Sequence, residues 1–105
     1  MANNLETLAL GAVLTASSRD QLNTWLISNR TGDATLRAGL PNDWRVGDKT
    51  SAGEHGSTND VAIVWSPQRR PVVIAVYLTE TTAAPEQKNA ALADIARHVV
   101  RVLKI

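Results

Sequence analysis

Trp44-Arg45-Val46-Gly47-Asp48-Lys49-Thr50-Ser51-Ala52-Gly53-Glu54-His55-Gly56-Ser57-Thr58-Asn59-Asp60-Val61-Ala62-Ile63-Val64-Trp65 reads as a strand, a glycine-bearing turn and a second strand. Trp44, Val46 and Asp48 alternate with Arg45, Gly47 and Lys49, the period of a pleated strand. Asp60 to Trp65 is a short apolar run suited to a buried strand, and Gly53 and Gly56 offer permissive backbone between the two. Lys49, Thr50, Ser51 and the backbone that follows can present an ammonium, two hydroxyls and N–H groups to one anion.

Working outward, a third run, Val72-Val73-Ile74-Ala75-Val76-Tyr77-Leu78, has no polar alternation and predicts a central strand covered on both faces. The three strands are expected over 44–51, 58–66 and 71–79. Short turns join them, Ser66 to Arg70 being polar and proline-bearing, so they should pair as an antiparallel meander. Helices are expected over 3–14, 18–28 and 85–104. Asn3 or Asn4 would cap the first. Ser18 and Gln21 form a capping-box pattern for the second, with Leu22, Trp25 and Leu26 on its buried face. Pro85 and Glu86 suit the start of the third, whose stripe is Leu92, Ile95, Ala96, Val99 and Leu103, and whose end is basic at Arg97, His98, Arg101 and Lys104. Ala34 to Ala38 suits one helical turn before Pro41. The fold class is α+β, with helices packed on an antiparallel sheet.

Composition narrows the function classes. The 105 residues make one domain or part of one, with an aliphatic core, since Trp25, Trp44, Trp65 and Tyr77 are the only aromatics. Net charge +1 gives no electrostatic case for nucleic acid or an anionic membrane. Without cysteine there is no disulfide or thiolate metal site, and two distant histidines with no carboxylate cluster do not suggest a metal. Residues 1–20 lack a signal-peptide pattern, and no apolar run approaches the ~20 residues of a membrane helix.

Lys49-Thr50-Ser51 resembles the K-T-G signature of the serine β-lactamase and penicillin-binding protein superfamily. The pattern is most similar to class A β-lactamases. Arg19 to Leu26 resembles the family's helix ending in Trp, Leu36 to Trp44 the lead into the signature strand, and Gly56 to Asp60 the entry to the next. The resemblance covers nearly the whole chain and about the C-terminal two-fifths of such an enzyme, with Met1 where the family has an internal residue. It implies part of an α/β sandwich, β-lactam hydrolysis through an acyl-serine, a periplasmic or secreted location, and no cofactor. It also implies strands from an N-terminal segment beyond residues 71–79, so that this chain alone exposes a sheet edge.

The site roles follow from the same resemblance. Lys49 would hold the β-lactam carboxylate and shape the field around the nucleophile, Thr50 would donate to the same carboxylate, and the Ala52 N–H would form half the oxyanion hole. Gly53 and Glu54 would line the passage of substrate side chains. Asp48 and Asp60, with Asn29 upstream, would fix the lysine strand. Ser51 stands where the family usually has Gly and adds bulk or a hydrogen bond. Thr58 and Thr35 occupy the two positions where members carry a carboxylate-binding Arg, and Lys88 or Asn89 could stand in near the last helix's start. No Ser has Lys three residues later and no Ser-Asp-Asn occurs. Nucleophile, proton-transfer Lys and deacylating Glu would come from a complementing N-terminal segment, and the chain alone would be inactive. The alternative is a non-catalytic interaction module with an inherited anion pocket. A peptidase relative fits the Arg19 to Asp60 pattern less well.

Overall fold

Alternation in the hairpin becomes two strands, β1 (Arg45–Ala52) and β2 (Thr58–Trp65), joined antiparallel from Arg45 opposite Trp65 to Ala52 opposite Thr58. β3 (Val72–Leu78) pairs antiparallel with β2, Thr58 opposite Leu78. The computed structural model describes residues 1–67 and 69–103. Gln68 in the β2–β3 turn and Lys104 at the expected end of the last helix lie outside the described residues. The helices are α1 (Ala2–Leu10), α2 (Ala16–Ser28) and α3 (Pro85–Leu103), with a 3-10 turn at Leu36–Gly39. The α+β meander is as expected, but the strand order β1-β2-β3 puts β2 in the centre, not β3. Ala62, Ile63 and Val64 of β2 are fully buried, whereas β3 is half-buried. The apolar run of β3 reflects both faces meeting side chains, although among the described residues only β2 pairs with it.

Period-two alternation sorts the side chains onto two cores. On one face Val46, Ala62 and Val64 pack with Leu36, Leu40 and Ala96, joined by Trp44, Ile74 and Val76. On the other, Ile63 packs with Leu5, Ala9 and Leu26, joined by Leu22, Val61, Trp65 and Val73. A helix layer thus covers each face, α3 and the 3-10 turn on one and α1 and α2 on the other.

The helix ends depart from expectation for identifiable reasons. α1 stops at Leu10, not residue 14, because the Gly11 N–H turns back to the Glu6 and Thr7 carbonyls. Its N-cap is Met1, with no side-chain cap, so Asn3 and Asn4 lie inside the helix. α2 begins three residues earlier than the Ser18 pattern implies. Thr15 is the cap, its hydroxyl accepting from the Ser18 N–H at 3.2 Å. The buried stripe of α2 is also rotated. Leu26 is buried and Leu22 half-buried, but Trp25 is 65% exposed. Arg19 and Asn23 take the inward positions instead, donating to the Gly11 and Ala9 carbonyls at 2.8 and 3.1 Å and satisfying the open end of α1. In α3, Leu92, Ala93 and Ala96 are buried, while Ile95 and Leu103 of the expected stripe are exposed.

Candidate active site

The last residues of β1 form one wall of a hollow of about 590 Å³. Lys49, Thr50, Ser51, Ala52, Gly53 and Thr58 all line it, with Thr31 and Thr35 from the loop after α2, Ser57 from the hairpin turn, and Pro85, Lys88 and Asn89 from the first turn of α3. Glu54, expected along the passage, is exposed in the turn and is not part of this lining. Two lysines and six hydroxyl side chains face the hollow, and its lining contains no acidic residue. Such a set suits an anion.

The hairpin turn that forms the rim is held tightly. Gly53 N–H donates to Ser57 O at 3.2 Å, and Glu80 N–H to His55 O at 2.7 Å. Ser57 and Thr79 hydroxyls meet at 2.8 Å. His55 and Gly56 both have positive φ, 60° and 72°. Of the two expected turn glycines, Gly56 is the one the backbone requires, since a Cβ there would lie 2.2 Å from Thr81 O. Gly53 faces open space.

Lys49 is exposed, and its ammonium donates to the Thr50 carbonyl, leaving further N–H groups for a ligand. Thr50 belongs to a chain of polar groups. Its Oγ1 lies 2.6 Å from Thr31 Oγ1, which donates to Asn29 Oδ1 at 2.8 Å. A hydroxyl has one proton, so Thr50 is the donor to Thr31. Asn29 Nδ2 in turn donates to Asp48 Oδ1 at 3.0 Å, where Arg37 Nη2 also donates at 2.9 Å. Ser51 Oγ accepts from Asn59 Nδ2 at 3.0 Å, which leaves its own proton free.

Beneath this wall Asp48 and Asp60 are fully buried. Asp60 Oδ2 accepts from Thr35 Oγ1 at 2.6 Å and from the Leu36 N–H at 3.3 Å. Asp48 Oδ2 and Asp60 Oδ1 have no other partner. A proton on one of these adjacent carboxyls turns an acceptor into a donor and satisfies both. Burial first, and then the hydrogen bond and charge of Asp48, push Asp60 up to about 7, against the opposing pull of Thr35 and Leu36 N–H. The loop packs onto this pair so closely that a Cβ on Gly32 would sit 1.7 Å from Asp48 Oδ2. Arg37 and Thr31 carry contacts that the sequence did not single out, because their partners Asp48 and Thr50 lie 11 and 19 residues away.

On the opposite side of β1 is a second hollow of about 340 Å³. Met1, Leu5, Leu8, Val61 and Tyr77 make it mostly apolar, and Lys49 and Ser51 reach its edge. Lys49 therefore stands between a lysine- and hydroxyl-lined hollow and an apolar one. Among the described residues no cluster of His, Cys, Asp or Glu could hold a metal ion, and no helix is long and apolar enough to cross a membrane.

Residues 1–103 match the beta-lactamase enzyme family (Beta-lactamase2), and the chain belongs to that family. It is 48% identical over 103 residues to beta-lactamase AST-1 of Nocardia asteroides, covering 98% of this chain and 33% of that protein. To beta-lactamase AER-1 of Aeromonas hydrophila it is 44% identical over 95 residues, 90% of this chain and 31% of that one. Among solved structures it is similar to a class A beta-lactamase described as that of the last common ancestor of Gram-negative bacteria (GNCA4). The TM-score is 0.95 with 56% identity, over 98% of this chain and 39% of that structure. The chain thus spans about a third of the length of the curated relatives it matches.

Proposed function

We propose that this chain is the C-terminal portion of a class A serine β-lactamase, supplying carboxylate recognition and half of the oxyanion hole. Lys49 holds the β-lactam carboxylate, Thr50 donates to it once its hydroxyl turns away from Thr31, and the Ala52 N–H faces the developing oxyanion. Ser51, Gly53 and Thr58 shape the surrounding wall, and Asp48 and Asp60 hold the strand from beneath. Glu54 is left at the outer rim, where only a long substrate side chain reaches it. A complementing N-terminal segment supplies nucleophile, proton-transfer Lys and deacylating Glu, and the assembled protein opens the ring through an acyl-serine and hydrolyses that ester. The location that goes with this role is periplasmic or secreted. The observation that carries the reading is the convergence of Lys49, Thr50 and Ala52 on one acid-free hollow at the open margin of the sheet.

The test is complementation. The pure 105-residue chain leaves a chromogenic cephalosporin intact, and hydrolysis arises when it is mixed with a class A segment carrying Ser-x-x-Lys. Lys49→Ala abolishes the gain. Turnover by the chain alone, lost on the same substitution, overturns the proposal. The second reading, a non-catalytic interaction module, draws on the half-buried β3 and the apolar hollow beside Leu8 and Tyr77. A stable, soluble chain that never complements supports it.

A further inference from the structure

We infer that Asn29 and Thr31 are positioning residues that set the direction of the Thr50 hydroxyl and so decide which ligand groups the wall accepts. At rest the wall presents a donor, the Lys49 ammonium, beside an acceptor, the Thr50 oxygen. A neutral group that carries both, such as a carboxamide, fits without rearrangement. A carboxylate can only accept, and it is admitted after the Thr50 hydroxyl has turned. The inference rests on the proposed role of the Lys49–Thr50 edge and deepens it.

The direction is imposed from outside the hollow. Thr31 and Thr50 line it, whereas Asn29 and Asp48 do not. Asp48 is fully buried, and its Oδ1 accepts from Arg37 Nη2 at 2.9 Å and from Asn29 Nδ2 at 3.0 Å. At the other end of the Asn29 amide the Thr31 backbone N–H, which can only donate, lies 3.3 Å from Oδ1. Both ends therefore assign the same orientation to that amide. Its oxygen also takes the Thr31 hydroxyl proton at 2.8 Å, so the 2.6 Å contact between the two threonines is made with the Thr50 proton. Only lone pairs of Thr50 remain for the hollow. The frame behind this chain of groups is held. Asn29 closes α2 with its backbone N–H on Leu26 O at 3.3 Å, and the loop beyond it is tied by Asp33 N–H to Arg30 O at 3.2 Å and Thr35 N–H to Gly32 O at 3.1 Å. The other cation of the lining, Lys88, is engaged on the rim, its Nζ donating to Gly56 O at 3.3 Å.

The test uses the full chain labelled with nitrogen-15, titrated with benzylpenicillin and with its neutral primary carboxamide, and followed at the amides of Lys49 to Ala52. Thr31→Val removes the acceptor of the Thr50 proton. Asn29→Ala removes the acceptor of the Thr31 proton, so that Thr31 can donate to Thr50 and release the Thr50 proton. Each variant should strengthen benzylpenicillin roughly two- to tenfold and leave the carboxamide unchanged. The double variant should gain no more than either alone, because both act through one bond. Thr31→Ser keeps the hydroxyl and should keep the parent's ratio of acid to amide affinity. Thr31 is exposed and Val has its shape, so Thr31→Val carries the test if Asn29→Ala fails to fold. If Thr31→Val moves acid and amide together, or moves neither, the loop only shapes the wall; the inference fails and the Lys49 reading stands. If neither ligand shifts Lys49 to Ala52 in the parent, both fall.

Discussion

At the scale of single residues, the Asp48–Asp60 pair governs how the site wall responds to acid. Asp60 holds its proton to about pH 7 in the folded chain, against an ordinary value of 3.8. Between those values the folded state binds more protons than the unfolded one, so stability falls as pH rises. The contribution is complete below about pH 4 and is gone above the folded value. Asp60→Asn imitates the protonated form, offering Nδ2 toward Asp48 and an oxygen toward Thr35 and Leu36. Urea unfolding between pH 4 and pH 8 should show the parent losing stability relative to Asp60→Asn, by a few kcal/mol in all. Parallel curves would contradict a shared proton. Asp60→Ala should cost about 1–3 kcal/mol at every pH, because it strands Asp48 Oδ2 and removes the acceptor of Thr35 and Leu36. A second residue-scale consequence concerns Thr31. Its hydroxyl receives the Thr50 proton, so Thr31→Val should free that proton for a carboxylate. Benzylpenicillin affinity, read by titrating the amide signals of the nitrogen-15-labelled chain, should rise by roughly 0.5–1.5 kcal/mol.

At the scale of elements, the hairpin was legible because period-two alternation and a Gly-bearing turn are local signals, and they delivered both strands and the edge that carries Lys49. What was not legible depended on partners distant in sequence. Trp25 sits on an apolar-looking stripe, yet Arg19 and Asn23 took the inward face because the end of α1 needed donors. Residues 72–78 looked central because a strand's own pattern reports covered faces, not its neighbours in the sheet. Arg37 and Thr31 looked like ordinary loop residues, since only the folded chain brings them to Asp48 and Thr50. The α2 cap separates the local reading from the folded one. Thr15→Ala should lower stability by about 1 kcal/mol, and Ser18→Ala by a few tenths at most, because the Ser18 contribution is its backbone N–H. Thermal melts of the two variants check this, and the reverse order would reinstate Ser18 as the cap. Gly56→Ala is a sharper element-scale test. It forces a side chain onto positive φ and against Thr81 O, and should cost about 1–3 kcal/mol while loosening the rim that anchors Lys88.

At the scale of the whole molecule, the surface is larger than its mass calls for. A compact protein of 11.3 kDa exposes roughly 5,700 Å², and this chain exposes 6670 Å². Its radius of gyration is 13.7 Å, with extents of 42 × 30 × 21 Å. The excess has an address. Tyr77 on β3 is 60% exposed, Leu8 and Met1 stand beside it on α1, and the apolar hollow lies between the two elements. A strand with one bonded neighbour next to apolar surface is a template for further pairing. In the proposed enzyme a strand of the complementing segment covers it, and without that segment a second copy can compete for the same edge. Sedimentation of the pure chain should therefore show self-association that grows with concentration. Tyr77→Lys, which places a charge on the open strand without touching the fully buried core, should raise the concentration at which association begins several-fold while leaving the thermal midpoint nearly unchanged. Adding a class A N-terminal segment should suppress the association as hydrolysis appears. A chain that stays monomeric at high concentration and gains no stability from the segment would instead mean that this margin needs no cover, and the case for a missing neighbouring strand would fail with it.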